Sequence, residues 1–169
     1  HPQHAPYAWQ KPTLGKHIQM PTTRPTATPL NAAETRRIQE IVGTLLFYAR
    51  GTDPTMVVAL NEIGTQQATP TQHTKQHTNR LLDYAASHKD ATIRYYGSDM
   101  VLRVTSDAAY LVLPQARSRA GGHYFLSTKS HRDSPNPTPN GPVHTLCQTI
   151  RNVVASAAEV EIAALYLNA

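Results

Sequence analysis

Residues 91–110 read ATIRYYGSDMVLRVTSDAAY, and within them the periodicity of the chain changes. Residues 92–96 are β-branched and aromatic, Gly97-Ser98-Asp99 is turn-forming, and 101–106 alternate in polarity. That pattern predicts a β-hairpin, with Asp99 serving its turn. Downstream, 122–127 reads as a third strand and 143–150 as a fourth, separated by a proline-rich loop at 134–142. From Ser156 the pattern becomes helical, with Ala157, Val160, Ala164 and Leu167 on one side.

Upstream of the change the signals are helical. Asn31 and Glu34 have the spacing of a capping box. Ile38, Ile41, Val42, Leu45 and Leu46 share one helix face, and Gly51 supplies a stop. Asp53-Pro54 restarts a helix, because Asp caps and Pro fits the first helical position. Met56, Val57, Leu60 and Ile63 follow at helical spacing. Thr69-Pro70 repeats the punctuation before a third helix to about Ser87, with Leu81, Leu82 and Ala85 inward. Short connections imply an antiparallel bundle. Residues 1–30 hold six of the 13 prolines and read as an extended lead-in, with Tyr7 and Trp9 available to dock it. The fold class is therefore α+β: a lead-in at 1–30, a helical bundle at 31–90, and a sheet with a helix at 91–169.

Composition narrows the function classes only modestly. The formal net charge of +5 suits a partner that carries phosphates, and it equally suits proteins that touch none. Cys147 is the sole cysteine, so no intramolecular disulfide forms, which fits a reducing compartment. It is expected to be buried and inert in an apolar strand. No apolar run is long enough to span a bilayer, and no secretory signal is visible. A start at His1 reads as a piece cut from a longer protein.

Five segments, in order, carry a resemblance. Residues 41–48 (IVGTLLFY) with Asp53-Pro54 resemble "VGSLMYL…RPDI". Residues 71–84, with RLLDY at 80–84, are similar to "H…AKRILRYL". Thr105-Ser106-Asp107-Ala108 resembles "YSDAD", residues 117–126 (RSRAGGHYFL) resemble "RKSTSGYVFFL", and 156–165 (SAAEVEIAAL) resemble "SSTEAEYIAL". Together they resemble the Pol polyprotein of copia-type LTR retrotransposons: the reverse transcriptase connection region and the first half of its ribonuclease H. The resemblance implies a partial RNase H-like sheet and helix over the C-terminal part. It implies an intracellular setting, in cytoplasm or a virus-like particle, and no membrane partner. Expected partners are RNA/DNA hybrid and the remainder of the polyprotein. The family activity is metal-dependent hydrolysis of the RNA strand of the hybrid. The sequence departs from the pattern at Ala109, where the family has a second aspartate, and at Tyr110, where it has Trp. The polymerase motif of Tyr-x-Asp-Asp type is absent, as are the later aspartates of the RNase H site.

Two-metal phosphodiester hydrolysis needs carboxylates that converge on Mg²⁺ or Mn²⁺. Asp107, ending an apolar strand, suits one role, although strand-end aspartates are common. Glu161 and Glu159 are the helix candidates. They point to different sides of a helix, and Glu161 is favoured because Ala164 beyond it resembles the small residue of the family's "ELxA" helix. Asp107 and Glu161 would be the metal ligands. Two ligands are too few, so the chain alone is expected to hold metal weakly and to cleave little or nothing. Asp133, beside the proline-rich loop, is not promoted to fill the gap. Arg117, Arg119, Lys129 and Arg94, with Lys75 and Arg80, are candidates for phosphate contact. His73 and His77 stand at i, i+4 without a third zinc ligand. The alternatives are a non-catalytic nucleic-acid-binding or protein-interaction module derived from a retroelement, and an unrelated α+β protein. A strand at 101–106 with an unpaired edge would invite association.

Overall fold

The computed structural model describes residues 2–8, 27–129, 136 and 138–169. The expectations for residues 9–26, Trp9 among them, and for Asp133 lie outside these. Beyond the lead-in, the chain divides into two compact units between Thr92 and Ile93. Among the described residues it holds four helices and a three-stranded antiparallel sheet. No helix among them is long and apolar enough to cross a membrane.

In the first unit α1 spans Ala32–Gly51, α2 spans Val57–Gly64 and α3 spans Gln72–Ser87. The capping box forms: Glu34 N–H donates to Asn31 Oδ1 at 2.9 Å, and Asn31 N–H donates to Glu34 Oε2 at 3.3 Å. These bonds satisfy donors that a helix start otherwise leaves unpaired. Asp53, itself buried, accepts from Thr55 N–H at 3.2 Å and opens a short 3₁₀ turn over Pro54–Met56. The Thr55 hydroxyl also meets Tyr84 Oη at 2.8 Å, which ties α3 to that turn. Ile38, Val42, Met56, Leu60, Ile63, Leu81 and Tyr84 are buried. Leu82 and Ala85 are only half-buried, because Tyr84 takes the inward position beside Leu81. Lys75 closes an ion pair with Glu34 at 2.6 Å.

The second unit departs from the expected hairpin. Residues 92–96 form no strand. Tyr96 instead receives its partner from a side chain: Asn140 Oδ1 accepts from Tyr96 N–H at 2.9 Å, and Asn140 Nδ2 donates to Tyr96 O at 3.0 Å. Asp99 is not a hairpin-turn residue either; its Oδ2 accepts from Lys129 N–H at 2.8 Å. The sheet holds β1 (Val101–Leu113), β2 (Arg117–Ser127) and β3 (Pro142–Thr149), in the spatial order β1-β2-β3. Its first turn lies at 114–116, where Gln115 and Ala116 adopt φ of 63° and 54°. Non-glycine residues rarely take that left-handed region. β1 and β2 pair regularly from Val101↔Ser127 to Ala109↔Arg119, and the register shifts only beyond Ala109.

The helix α4 (Ala157–Leu167) packs on β1 and β2. Ala120, Ile150, Val160 and Ala164 form the buried core there, with Ala108 and Leu146 packed against them. Small residues at Ala120 and Ala164, both fully buried, let the helix lie close to the strands.

Candidate functional site

Side chains alternate between the two faces of a strand. Ala108 faces α4 and the pairing around it is regular, so Asp107 occupies the opposite face of the sheet. The register fills out that face. Asp107 stands opposite Gly121, which stands opposite Cys147. The neighbouring row is Thr105–His123–Thr145, and the next row on the other side is Ala109–Arg119–Thr149. Arg103 shares the face, opposite Phe125. The His123 and Phe125 rings lie 5.2 Å apart. Asp107 and Thr105 are exposed, while Arg103, Arg119, His123 and Cys147 are half-buried. Cys147 is thus not the buried residue of an apolar strand that was expected: it lies on the polar face.

Glu159 and Glu161 belong to the other side of the sheet, on α4. Ser156 caps that helix, accepting from Glu159 N–H at 3.2 Å, and Glu159 Oε2 accepts from Ala155 N–H at 2.6 Å. The Glu159 carboxylate therefore closes a helix start. Glu161 is exposed, one position past the buried Val160. The structure does not bring Asp107 together with either glutamate, since the strand itself lies between them. Among the described residues no group of three or more His, Cys, Asp or Glu is placed to hold a metal ion. Asp107, Glu159 and Glu161 do not fit a shared Mg²⁺ or Mn²⁺. The His73 and His77 rings lie 4.1 Å apart on α3, tilted by 49°, and among the described residues no third ligand joins them.

The basic candidates also separate. Arg117 and Arg119 begin β2, whereas exposed Lys129 follows its far end. At about 3.3 Å per extended residue, Arg119 lies roughly 26 Å from Ser127, the end of β2, and Lys129 follows beyond that end. Arg94 is exposed in the segment that precedes β1. Lys75 is engaged with Glu34. Sequence reasoning missed Arg103 and His123, which share a face with Arg119. Odd-numbered positions of β1 and β2 could have signalled this, but only once their register was known.

Compared with family models, with curated proteins and with solved structures, the chain matches none.

Proposed function

We propose that this chain is a piece of the reverse transcriptase–ribonuclease H part of a copia-type retroelement polyprotein, and that it holds nucleic acid without hydrolysing it. Support for the origin is the order of the resembling segments along the fold. The "YSDAD"-like stretch lies in β1, the "RKSTSGY"-like stretch in β2 and the "SSTEAEY"-like stretch at α4, giving an antiparallel meander followed by a helix laid across its first two strands.

One observation carries the choice of binding over cleavage: Asp107 and the helix glutamates occupy opposite faces of the sheet. Two-metal hydrolysis requires its carboxylates on one side of the reacting phosphate. The face that holds Asp107 instead combines Arg103, Arg119 and His123 with the exposed hydroxyl of Thr105. Guanidinium and hydroxyl donors of this kind contact phosphates and 2′-hydroxyls without reading sequence. The net charge of +5 favours the encounter.

The test is fluorescence anisotropy of a labelled RNA/DNA hybrid, across a salt series, beside a cleavage assay in Mg²⁺ and in Mn²⁺. Binding that weakens as salt rises, with the hybrid left intact, is the expected result. Metal-dependent cleavage lost in Asp107→Asn would overturn the non-catalytic reading. Absence of binding at low salt would overturn the nucleic-acid reading.

A further inference from the structure

Asn140-Gly141 is the one Asn-Gly pair in the sequence. Such a pair is chemically labile, because the backbone nitrogen of the following residue can attack an asparagine side-chain amide. Glycine has no Cβ to obstruct that approach. In the folded chain the two groups are neighbours: Gly141 N–H donates to Asn140 Oδ1 at 2.8 Å.

The same amide fastens residues 93–96 to the sheet. Asn140 Oδ1 also accepts from Tyr96 N–H at 2.9 Å, while Nδ2 donates to Tyr96 O at 3.0 Å and to Leu126 O, in β2, at 2.8 Å. A primary amide has two donor hydrogens and two acceptor positions, and all of them are used here. Gly141 completes the lock. A Cβ there would collide with the Arg94 carbonyl oxygen and the Ile93 side chain, so the backbone of residues 93–94 lies directly against it. The Tyr95 hydroxyl adds a bond to Pro142 O at 2.9 Å. Attack on Asn140 Cγ requires Gly141 N to lose the proton it now donates, and the amide to turn away from its partners. The fold thus opposes a reaction that the sequence favours.

We propose that Asn140 is a site of spontaneous deamidation that the fold holds in check, and that conversion permanently unlocks residues 93–96 from the sheet. Gly141 N, having given its proton to solvent, bonds to Asn140 Cγ. The Cγ–Nδ2 bond breaks, and Nδ2 takes up a proton and leaves as ammonia. Water then adds to either carbonyl of the cyclic imide, opening it to aspartate or isoaspartate. Aspartate has no amide hydrogens for Tyr96 O and Leu126 O, and it sets a carboxylate oxygen against those two carbonyls. Isoaspartate also inserts a methylene into the main chain, which moves Gly141 off residues 93–94. Neither product re-forms the lock. The inference stands apart from nucleic-acid binding and needs only water.

The 169-residue chain is incubated at mildly alkaline pH, both folded and in urea, and peptide mass mapping follows every asparagine. In urea Asn140 should convert ahead of all the others. In the folded chain it should convert about tenfold more slowly or less, since the lock must open first. Release is read by trypsin at the bond after Arg94, whose side chain is exposed but whose backbone lies under the lock. Cleavage there tracks the open fraction of the segment. Deamidated protein, separated from the parent by ion exchange, should be cut about tenfold faster, and so should Asn140→Asp. If Asn140→Asp fails to fold, chain aged in the folded state still supplies the product. Gly141→Ala separates lock from chemistry: its Cβ should speed the cut at Arg94 yet slow deamidation in urea. Asn140 converting in urea no faster than the other asparagines would overturn the proposal, as would equal rates in the folded and unfolded chains. So would deamidated protein that is cut at Arg94 no faster than the parent, because the lock would then survive conversion.

Discussion

The side-chain amide of Asn168 donates to Ser106 Oγ at 3.0 Å, fastening the end of α4 to the middle of β1. The same amide nitrogen lies 3.0 Å from Gly121 O and 2.9 Å from Ala164 O. Asn168 Oδ1 accepts from the Tyr124 hydroxyl at 2.9 Å. Asn168 is buried, so each of these groups would lack a water replacement if the side chain were removed. Gly122 makes room for it: a Cβ there would collide with Asn168 Oδ1. Asn168→Ala is expected to lower stability by about 1–3 kcal/mol in urea denaturation. Gly122→Ala must displace Asn168 and should cost at least as much. A loss under about 0.5 kcal/mol, the size of an ordinary surface change, would show that the network contributes little.

Local relations were the legible part of this fold. The Asn31/Glu34 capping box and the Asp53-Pro54 restart involve residues within three positions of one another, so their chemistry is written in the sequence itself. Residues 92–96 were misread because their composition suits a strand but their partner is the Asn140 side chain, 44 residues from Tyr96. Composition carries no information about such a partner. The 114–116 turn was missed because Gln115 and Ala116 lack the signature of glycine or asparagine at positive φ. Asp107 was expected to end a strand over 101–106, but β1 runs on to Leu113, so Asp107 stands inside it; its face depends on where α4 packs, and alternation alone cannot say which face that is.

The two helix glutamates should separate by experiment. Glu159 accepts a backbone hydrogen bond at the start of α4, while Glu161 is exposed and serves no such contact. Glu159→Ala should destabilise the second unit by about 0.5–1.5 kcal/mol, the usual net contribution of one hydrogen bond. Glu161→Ala should fall within about 0.5 kcal/mol of the parent. Thermal or urea unfolding followed by circular dichroism checks both. Equal effects would mean that Glu159 does not act as a cap.

Acid should loosen the first unit through His77. Burial holds its pKa below the usual histidine value, and His73 beside it adds like-charge repulsion, against a raising effect from Glu62. A lowered pKa in the folded state means that the unfolded chain binds more protons in this range, so stability rises with pH. The contribution is complete above the ordinary histidine value of 6.5 and is lost as pH falls below it toward the folded pKa. Titration of His77 by NMR should show the depressed midpoint. In His73→Gln the midpoint should move up only partly, because burial is the larger cause. Full recovery to the unperturbed value would make His73 the main cause instead.

Arg119 offers the sharpest check of the sheet face as a phosphate surface. It lies on the same face as Arg103 and His123, between Ala109 and Thr149. If it contacts one phosphate, Arg119→Gln removes one released counterion from the binding equilibrium. Affinity for the hybrid should then fall for all sequences alike, and the log–log salt slope should become shallower by about 0.9. Lys75→Gln is the control, since Lys75 is already paired with Glu34 in the first unit. It should leave the slope unchanged. A slope equally altered by both variants would point to general charge rather than to this face. A slope unaltered by Arg119→Gln, in a variant with the parent's circular dichroism, would remove Arg119 from the interface.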